Sequence, residues 1–153
     1  MKSERLVYMN GEFVTEQNAK ISIFDSALMF GDMVFEMTRS FNKEQFKLRE
    51  HLERLYMGIK LLHIPIKMTI EEMEQACLDT IAKNESAFEA HDEHRLMINV
   101  SRGPLGLYAP VFNGKLEPTV VIADFPLKWT VASMAPLYDS GINAVIPSQR
   151  AIP

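Results

Sequence analysis

The chain has 153 residues, of which 47% are hydrophobic and 24% are charged, and this balance is ordinary for a globular protein with its own core. The formal net charge of −4 argues against a nucleic-acid-binding surface, which needs clustered lysine and arginine. No apolar run approaches the ~20 residues that span a bilayer, and the N-terminus carries no signal-peptide core. The single cysteine, Cys77, excludes an internal disulfide. These features favour a cytoplasmic protein without a membrane or nucleic-acid partner.

Short runs of alternating or β-branched residues predict strands in the first third of the chain. These runs are residues 6–9, 12–14, 21–23, 34–39 and 45–48. Asn10-Gly11 is a tight-turn signal, so the first two runs are expected to form a hairpin. In the fourth run, alternation should send Phe35, Met37 and Arg39 to one face of the strand.

Two amphipathic helices are predicted next. The apolar stripe of the first consists of Leu52, Leu55, Tyr56, Ile59 and Leu62, at helical spacing. Pro65 prevents this helix from continuing. Thr69 and Glu72 have the spacing of a capping box, which predicts that a second helix starts at Thr69. The buried face of this helix is expected to contain Ile70, Met73, Cys77 and Ile81.

The last third of the chain predicts three further strands, at residues 95–101, 119–123 and 142–146. The whole pattern predicts an α+β fold, in which an antiparallel sheet packs against two helices. We expect residues 1–146 to form one small N-terminal domain. Residues 147–153, with Pro147, Arg150 and Pro153, have the composition of a linker, and we expect the chain to continue into a further domain.

A cluster of charged residues precedes the strand at 95–101. His91, Asp92, Glu93 and His94 are titratable, but they lack the spacing of a helical H-E-x-x-H metal site. We interpret this cluster as a solvated loop and predict no metal site.

Several motifs, in order, carry a family resemblance: NGEFV, ISIFD, FGDMVFE, EHLERL and later NVSRG. This series resembles the N-terminal domain of the fold-type IV, or class IV, aminotransferases. The family includes branched-chain aminotransferases, D-amino-acid aminotransferases and 4-amino-4-deoxychorismate lyases. The resemblance implies pyridoxal 5'-phosphate as cofactor, a homodimer, and transfer of an amino group between an amino acid and a 2-oxo acid.

The resemblance implies that Arg54, in EHLERL, binds the cofactor phosphate. Arginine suits this role because its planar fork of donors matches phosphate oxygens. The residues alone also allow a surface role, in which Arg54 pairs with Glu50 one helical turn earlier.

The resemblance places a second set of residues at the substrate: Phe30, Phe35, Met37, Arg39, Arg95 and Tyr108. Met37 matches a glycine of the branched-chain enzymes, so it should reshape the side-chain pocket. Arg95 matches an arginine that binds a distal carboxylate. Ordinary core packing is the alternative for Phe30, Phe35 and Met37, and a solvent-facing edge position is the alternative for Arg95.

The lysine that forms the family's Schiff base is expected beyond Pro153, because Lys128, the last lysine here, falls in the wrong segment. We therefore assign no catalytic residue within these 153 residues. Two alternatives stay open: a lyase of the same fold that acts on aminodeoxychorismate, and a non-catalytic assembly module.

Overall fold

A single antiparallel sheet organises the computed structural model, which describes residues 4–148. Its strands are β1 (Leu6–Met9), β2 (Glu12–Thr15), β3 (Met33–Phe41), β4 (Glu44–Gln45), β5 (His94–Ser101) and β6 (Thr119–Pro126). They lie in the order β2-β1-β6-β5-β3-β4, and every neighbouring pair is antiparallel. The predicted hairpin of the first two runs is confirmed, with Asn10 and Gly11 at its turn in positive-φ conformations.

The described residues also form four α-helices, two of which pack on one face of this sheet. The helices are α1 (Ser26–Phe30), α2 (Leu48–Leu61), α3 (Ile70–Asn84) and α4 (Leu127–Ser140). The capping box that starts α3 is confirmed: Thr69 Oγ1 accepts from the Glu72 amide at 3.2 Å, and Glu72 Oε2 accepts from the Thr69 amide at 2.7 Å. None of the helices in the described part of the chain combines the length and the apolar character needed to cross a membrane.

The core lies between the sheet and the helices α2 and α3. It contains Leu48, Leu52, Leu55, Ile59, Ile64, Met73, Ala76, Cys77, Leu96, Ile98, Val100, Val120 and Ile122. Cys77 is fully buried, as its place on the apolar face of α3 predicts. The α+β prediction is therefore confirmed.

Two predicted strands are absent. Residues 21–23 precede α1 without pairing to another strand, and Ile23 is 70% exposed. Here the side chain of Asp25 accepts from the Ala27 amide at 2.9 Å and starts a helix instead. Residues 142–146 also pair with no strand of the described chain, and Ile146 is 99% exposed. Alternating hydrophobicity is not sufficient for a strand, because the backbone also needs a neighbour for its hydrogen bonds.

Helix boundaries also differ from expectation. The predicted extended run at 45–48 ends at Gln45, because Lys47 takes a positive φ of 51° and the buried Leu48 begins α2. The sequence pattern does not predict helix α4. This helix contains Pro136 and buries no residue, so it lacks the apolar stripe that identifies a helix in a sequence.

The proposed linker is described only at its start. Pro147 has no regular secondary structure, whereas Arg150 and Pro153 lie outside the described residues. The domain boundary at residue 146 therefore stays a prediction.

Candidate active site

Strand β3 presents two chemically different faces. Glu36, Thr38 and Ser40 point toward the helices and are buried, whereas Phe35, Met37 and Arg39 alternate with them on the other face. Phe35 is 63% exposed, since α2 and α3 cover only the opposite face of the sheet. The predicted common face of Phe35, Met37 and Arg39 is confirmed. We call this side of the sheet the open face.

Arg95 joins the open face from the neighbouring strand, directly opposite Arg39 in the β3–β5 register. Its Nε lies 2.7 Å from the sulfur of Met37, its Nη1 donates to the hydroxyl of Thr130, and its guanidinium lies 5.5 Å from the Phe125 ring. Each of these contacts is with a neutral group. Within the described chain, the Arg95 guanidinium is therefore surrounded only by uncharged partners.

Arg39 has a similar environment. Its Nε donates to the Ser40 carbonyl at 3.1 Å, and its guanidinium lies over the Phe41 ring at 4.0 Å. Among the described residues, neither Arg39 nor Arg95 lies within ion-pair distance of a carboxylate. Two unneutralised cations therefore face each other across adjacent strands, an arrangement suited to binding an anion.

A cleft of about 290 Å³ connects the open face with the α2 side of β3. Its lining residues are Met37, Thr38, Arg39, Phe46, His51, Arg95 and Leu127. The cleft brings three residues of the predicted substrate set into one cavity. It also includes His51, which sequence reasoning missed.

Arg54 lies on α2, on the helix side of β3, and is held by a buried carboxylate. Its Nε donates to Glu36 Oε1 and its Nη2 donates to Glu36 Oε2 at 2.7 Å. His51 Nδ1 lies 2.8 Å from the same Oε2. The alternative pairing of Arg54 with Glu50 is wrong, because the Glu50 carboxylate lies near Lys47 at 3.7 Å instead.

The side chains of this Glu36–His51–Arg54 group differ widely in their exposure to solvent. The Glu36 side chain is only 7% exposed, whereas the Arg54 side chain is 69% exposed. Hydrogen bonding from Arg54 lowers the pKa of Glu36, so this carboxylate is ionised and anchors the guanidinium. An arginine has five N–H donors, of which Glu36 accepts two. The remaining donors are available to a phosphate, so the donor set fits the phosphate of pyridoxal 5'-phosphate.

Phe30 and Tyr108 lie away from this cleft. Phe30 is the last residue of α1 and is 66% exposed. Tyr108 lies in a 3-10 helix (Gly106–Phe112), and its ring packs on Phe24 with centroids 4.7 Å apart. The structure thus brings together Phe35, Met37, Arg39 and Arg95, but it does not join Phe30, Tyr108 or Arg54 to them.

Glu36, like His51, is a polar residue that sequence reasoning left out of the site. Glu36 could have been found, since it is an acid at an inward-facing position of an alternating strand and must have a partner there. Arg102 donates to Asp32 at 2.6 Å and to the Leu62 carbonyl at 2.7 Å. It thereby joins the segment after Phe30 to the end of α2.

Comparison with known proteins identifies the family to which this sequence is similar. The model of the amino-transferase class IV family matches residues 33–153. A Methanocaldococcus jannaschii protein named as a branched-chain-amino-acid aminotransferase is 39% identical over 149 residues, which are 96% of this chain and 47% of that protein. The branched-chain-amino-acid aminotransferase of Escherichia coli K12 is 32% identical over 159 residues, covering 99% of this chain and 48% of its own length.

A solved structure gives the same result. The branched-chain amino acid aminotransferase from T.th., complexed with N-(5'-phosphopyridoxyl)-L-glutamate, superposes with a TM-score of 0.64 at 28% identity. The match covers 82% of this chain and 41% of that one. The chain therefore spans about half the length of the curated relatives that it matches. By its fold and by the family model over residues 33–153, the chain belongs to the class IV aminotransferases.

Proposed function

We propose that this chain is the N-terminal half of a pyridoxal-phosphate-dependent aminotransferase of the branched-chain type. The reaction moves an amino group between an amino acid and a 2-oxo acid. The observation that carries the proposal is the exposed Arg54 guanidinium, which is fixed by buried Glu36. The other partner of Glu36, His51, lines the cleft that contains the two unneutralised arginines. When bound, the cofactor supplies the electron sink for this chemistry.

In this proposal Arg54 holds the cofactor phosphate. Glu36 fixes two of its donors, and the guanidinium is therefore oriented before the ligand arrives. Such preorganisation reduces the entropy lost on binding. His51 contacts the same carboxylate and limits the positions that Glu36 can adopt.

The open face contacts the substrate in this proposal. Arg39 and Arg95 bind a carboxylate of the amino acid or of the 2-oxo acid, since they are cations without a carboxylate partner in the described chain. Phe35 supplies apolar contact area. Met37 contacts Arg95 and fills space on the substrate side, so it narrows the room for a side chain.

We further propose a cytoplasmic homodimer, in which Phe30 and Tyr108 border the partner's site. Its support is the exposed apolar surface around α1, where Leu28 is 61% exposed and Phe30 is 66% exposed. Residues 1–146 form the N-terminal domain in this proposal. The catalytic lysine belongs to the half of the family's length that lies beyond Pro153.

The phosphate assignment is tested in the full-length protein by titrating pyridoxal phosphate and following absorbance. Arg54→Ala should weaken cofactor affinity by about tenfold or more, the scale of a hydrogen bond to a charged group. The matched control is Arg49→Ala, on the same helix, because Arg49 contacts Glu71 and Glu74 instead of Glu36. Equal cofactor affinity in the two variants would contradict the assignment.

The reaction is tested with the wild-type protein, 2-oxoglutarate and a panel of L-leucine, L-isoleucine, L-valine and D-alanine. We expect glutamate to form with the branched-chain L-amino acids. If the cofactor binds but none of the four acts as donor, the aminotransferase proposal fails, and aminodeoxychorismate is the next substrate to assay.

A further inference from the structure

A buried histidine joins the sheet to the end of α3, on the face of β5 opposite to Arg95. His94 is the first residue of β5 and is 0% exposed. Its Nδ1 lies 2.9 Å from Asp124 Oδ2 on β6, and its Nε2 lies 2.7 Å from Glu85 Oε2. Glu85 is the C-cap residue of α3, directly after its last helical residue. Both ring nitrogens therefore contact carboxylates.

Only the protonated ring can donate to both carboxylates at once. A neutral imidazole has one N–H donor and one lone pair, so one of the two carboxylates would face a lone pair instead of a proton. An imidazolium donates through both nitrogens and neutralises one of the negative charges. The geometry is therefore complete only when His94 is charged.

The remaining surroundings also favour the charged ring. Phe88 stacks on the imidazole with centroids 4.5 Å apart, and the Asp124 side chain is fully buried. Its second oxygen, Oδ1, has no hydrogen-bond donor among the described residues. A buried carboxylate in this state depends on a nearby cation. Two other cations act more remotely: Lys43, from the β3–β4 turn, lies 3.0 Å from Glu85, and Arg5 influences Asp124 through space.

The two carboxylates differ in their access to water. The Asp124 side chain is 0% exposed, whereas the Glu85 side chain is 50% exposed. When the ring loses its proton, Asp124 cannot leave and keeps the remaining N–H. Glu85 can turn into solvent and stay near Lys43. The contact that breaks is therefore the one between β5 and the end of α3.

We propose that His94 is a pH-sensitive connection, which fastens the C-terminal end of α3 to the sheet when protonated and releases Glu85 when neutral. Burial alone opposes the charged ring, but Asp124 and Glu85 outweigh it and raise the pKa of His94 above its usual 6.5. A raised pKa in the folded state stabilises the fold fully below pH 6.5, and this contribution disappears as pH rises through the raised value.

The test compares full-length wild type with Glu85→Gln, which removes the releasable carboxylate, by thermal unfolding at pH 6 to 9. We expect Glu85→Gln to unfold about 2–4 °C below wild type at pH 6. By pH 9 this difference should shrink to the small contribution of the Lys43–Glu85 ion pair, which the variant also lacks. The matched control is Glu117→Gln. Glu117 forms an exposed ion pair with Lys67 at 3.2 Å, and its removal should give a difference from wild type that is constant over this range.

The ring itself is followed by NMR of protein labelled with 15N-histidine, and His94→Gln identifies the signal. The expected result is a His94 pKa above 6.5 in wild type that decreases in Glu85→Gln. The proposal is overturned by a His94 pKa at or below 6.5. It is also overturned if the melting temperatures of wild type and Glu85→Gln differ by a constant amount from pH 6 to 9.

Discussion

Single buried polar residues connect distant elements of this chain, and their partners were the hardest feature to predict from the sequence. The sequence indicated that Arg54 lies on a helix and that Glu36 lies on a strand, yet nothing local connects residues 18 positions apart. An exposed i,i+4 pair contributes little, whereas a buried carboxylate strongly requires a partner. Arg54 therefore pairs with Glu36 and not with Glu50.

The same reasoning corrects the charged cluster at residues 91–94. We interpreted it as a solvated loop, and this was wrong for two of its members. His94 is fully buried and Asp92 is 7% exposed, because both have polar partners inside the fold. A local charge run gives no information about partners on distant elements such as Asp124.

Asn84 provides a prediction at this scale. It is fully buried, and its side-chain amide both donates to the Leu6 carbonyl at 2.8 Å and accepts from the Leu6 amide at 2.7 Å. Asn84→Ala should reduce the free energy of unfolding by about 2–3 kcal/mol, since two partly buried backbone groups lose their partner. Urea unfolding measures this change. Asn18→Ala, at an exposed asparagine whose side chain donates to Thr15, should change it by less than about 0.5 kcal/mol.

At the scale of elements, periodicity predicted the helices and strands that bury one face. The alternation of β3, the stripe of α2 and the capping box of α3 are all local signals of this kind. Residues 21–23 and 142–146 alternate equally well, yet no strand lies beside them in the described chain. Helix α4 was not predicted, because none of its residues is buried and its sequence therefore has no apolar stripe.

The loop after β5 depends on one glycine. Gly103 has a φ of +77°, and a Cβ there would lie 2.0 Å from the Glu117 carbonyl oxygen. Gly114 has the same φ of +77°, but its Cβ would meet nothing within 4 Å. Gly114→Ala should cost about 1 kcal/mol for the backbone conformation alone. Gly103→Ala should cost clearly more, because the loop must also move away from Glu117.

Thermal unfolding of the two variants separates these contributions, since the matched φ removes the conformational term from the comparison. If both variants lose the same stability, the close approach of Gly103 to Glu117 does not constrain the loop.

At the scale of the whole molecule, the sheet has one covered face and one open face. The sequence predicted that Phe35, Met37 and Arg39 share one face of β3. It did not predict that this face is the open one, because the buried residues on the covered face of β3 are polar. It could not predict that Arg39 and Arg95 would lie opposite each other, since strand register is a property of two distant segments. The shared face of Phe35, Met37 and Arg39 was therefore predictable from the sequence. The pairing of Arg39 with Arg95 and the presence of His51 in the cleft were not.

Global stability should also depend on pH at the acidic end. The pKa of Glu36 is lowered in the fold by Arg54, so its contribution is present above pH 4.5 and disappears as pH falls through the lowered value. Glu36→Gln should have a lower free energy of unfolding than wild type at pH 6. Between pH 5 and pH 3, this free energy should fall less in the variant than in wild type. Urea unfolding across this range measures both slopes. The exposed Glu117→Gln serves as control, and a Glu36→Gln slope equal to that of the control would contradict this prediction.

The position of Trp129 has a practical consequence. It is the single tryptophan of the 153 residues, it is half-exposed on α4, and the Arg5 guanidinium lies 4.5 Å from its ring centroid. The next residue, Thr130, contacts Arg95 on the open face. The indole is thus a built-in optical reporter, whose fluorescence emission follows what occupies the surface beside Arg95 without any attached dye.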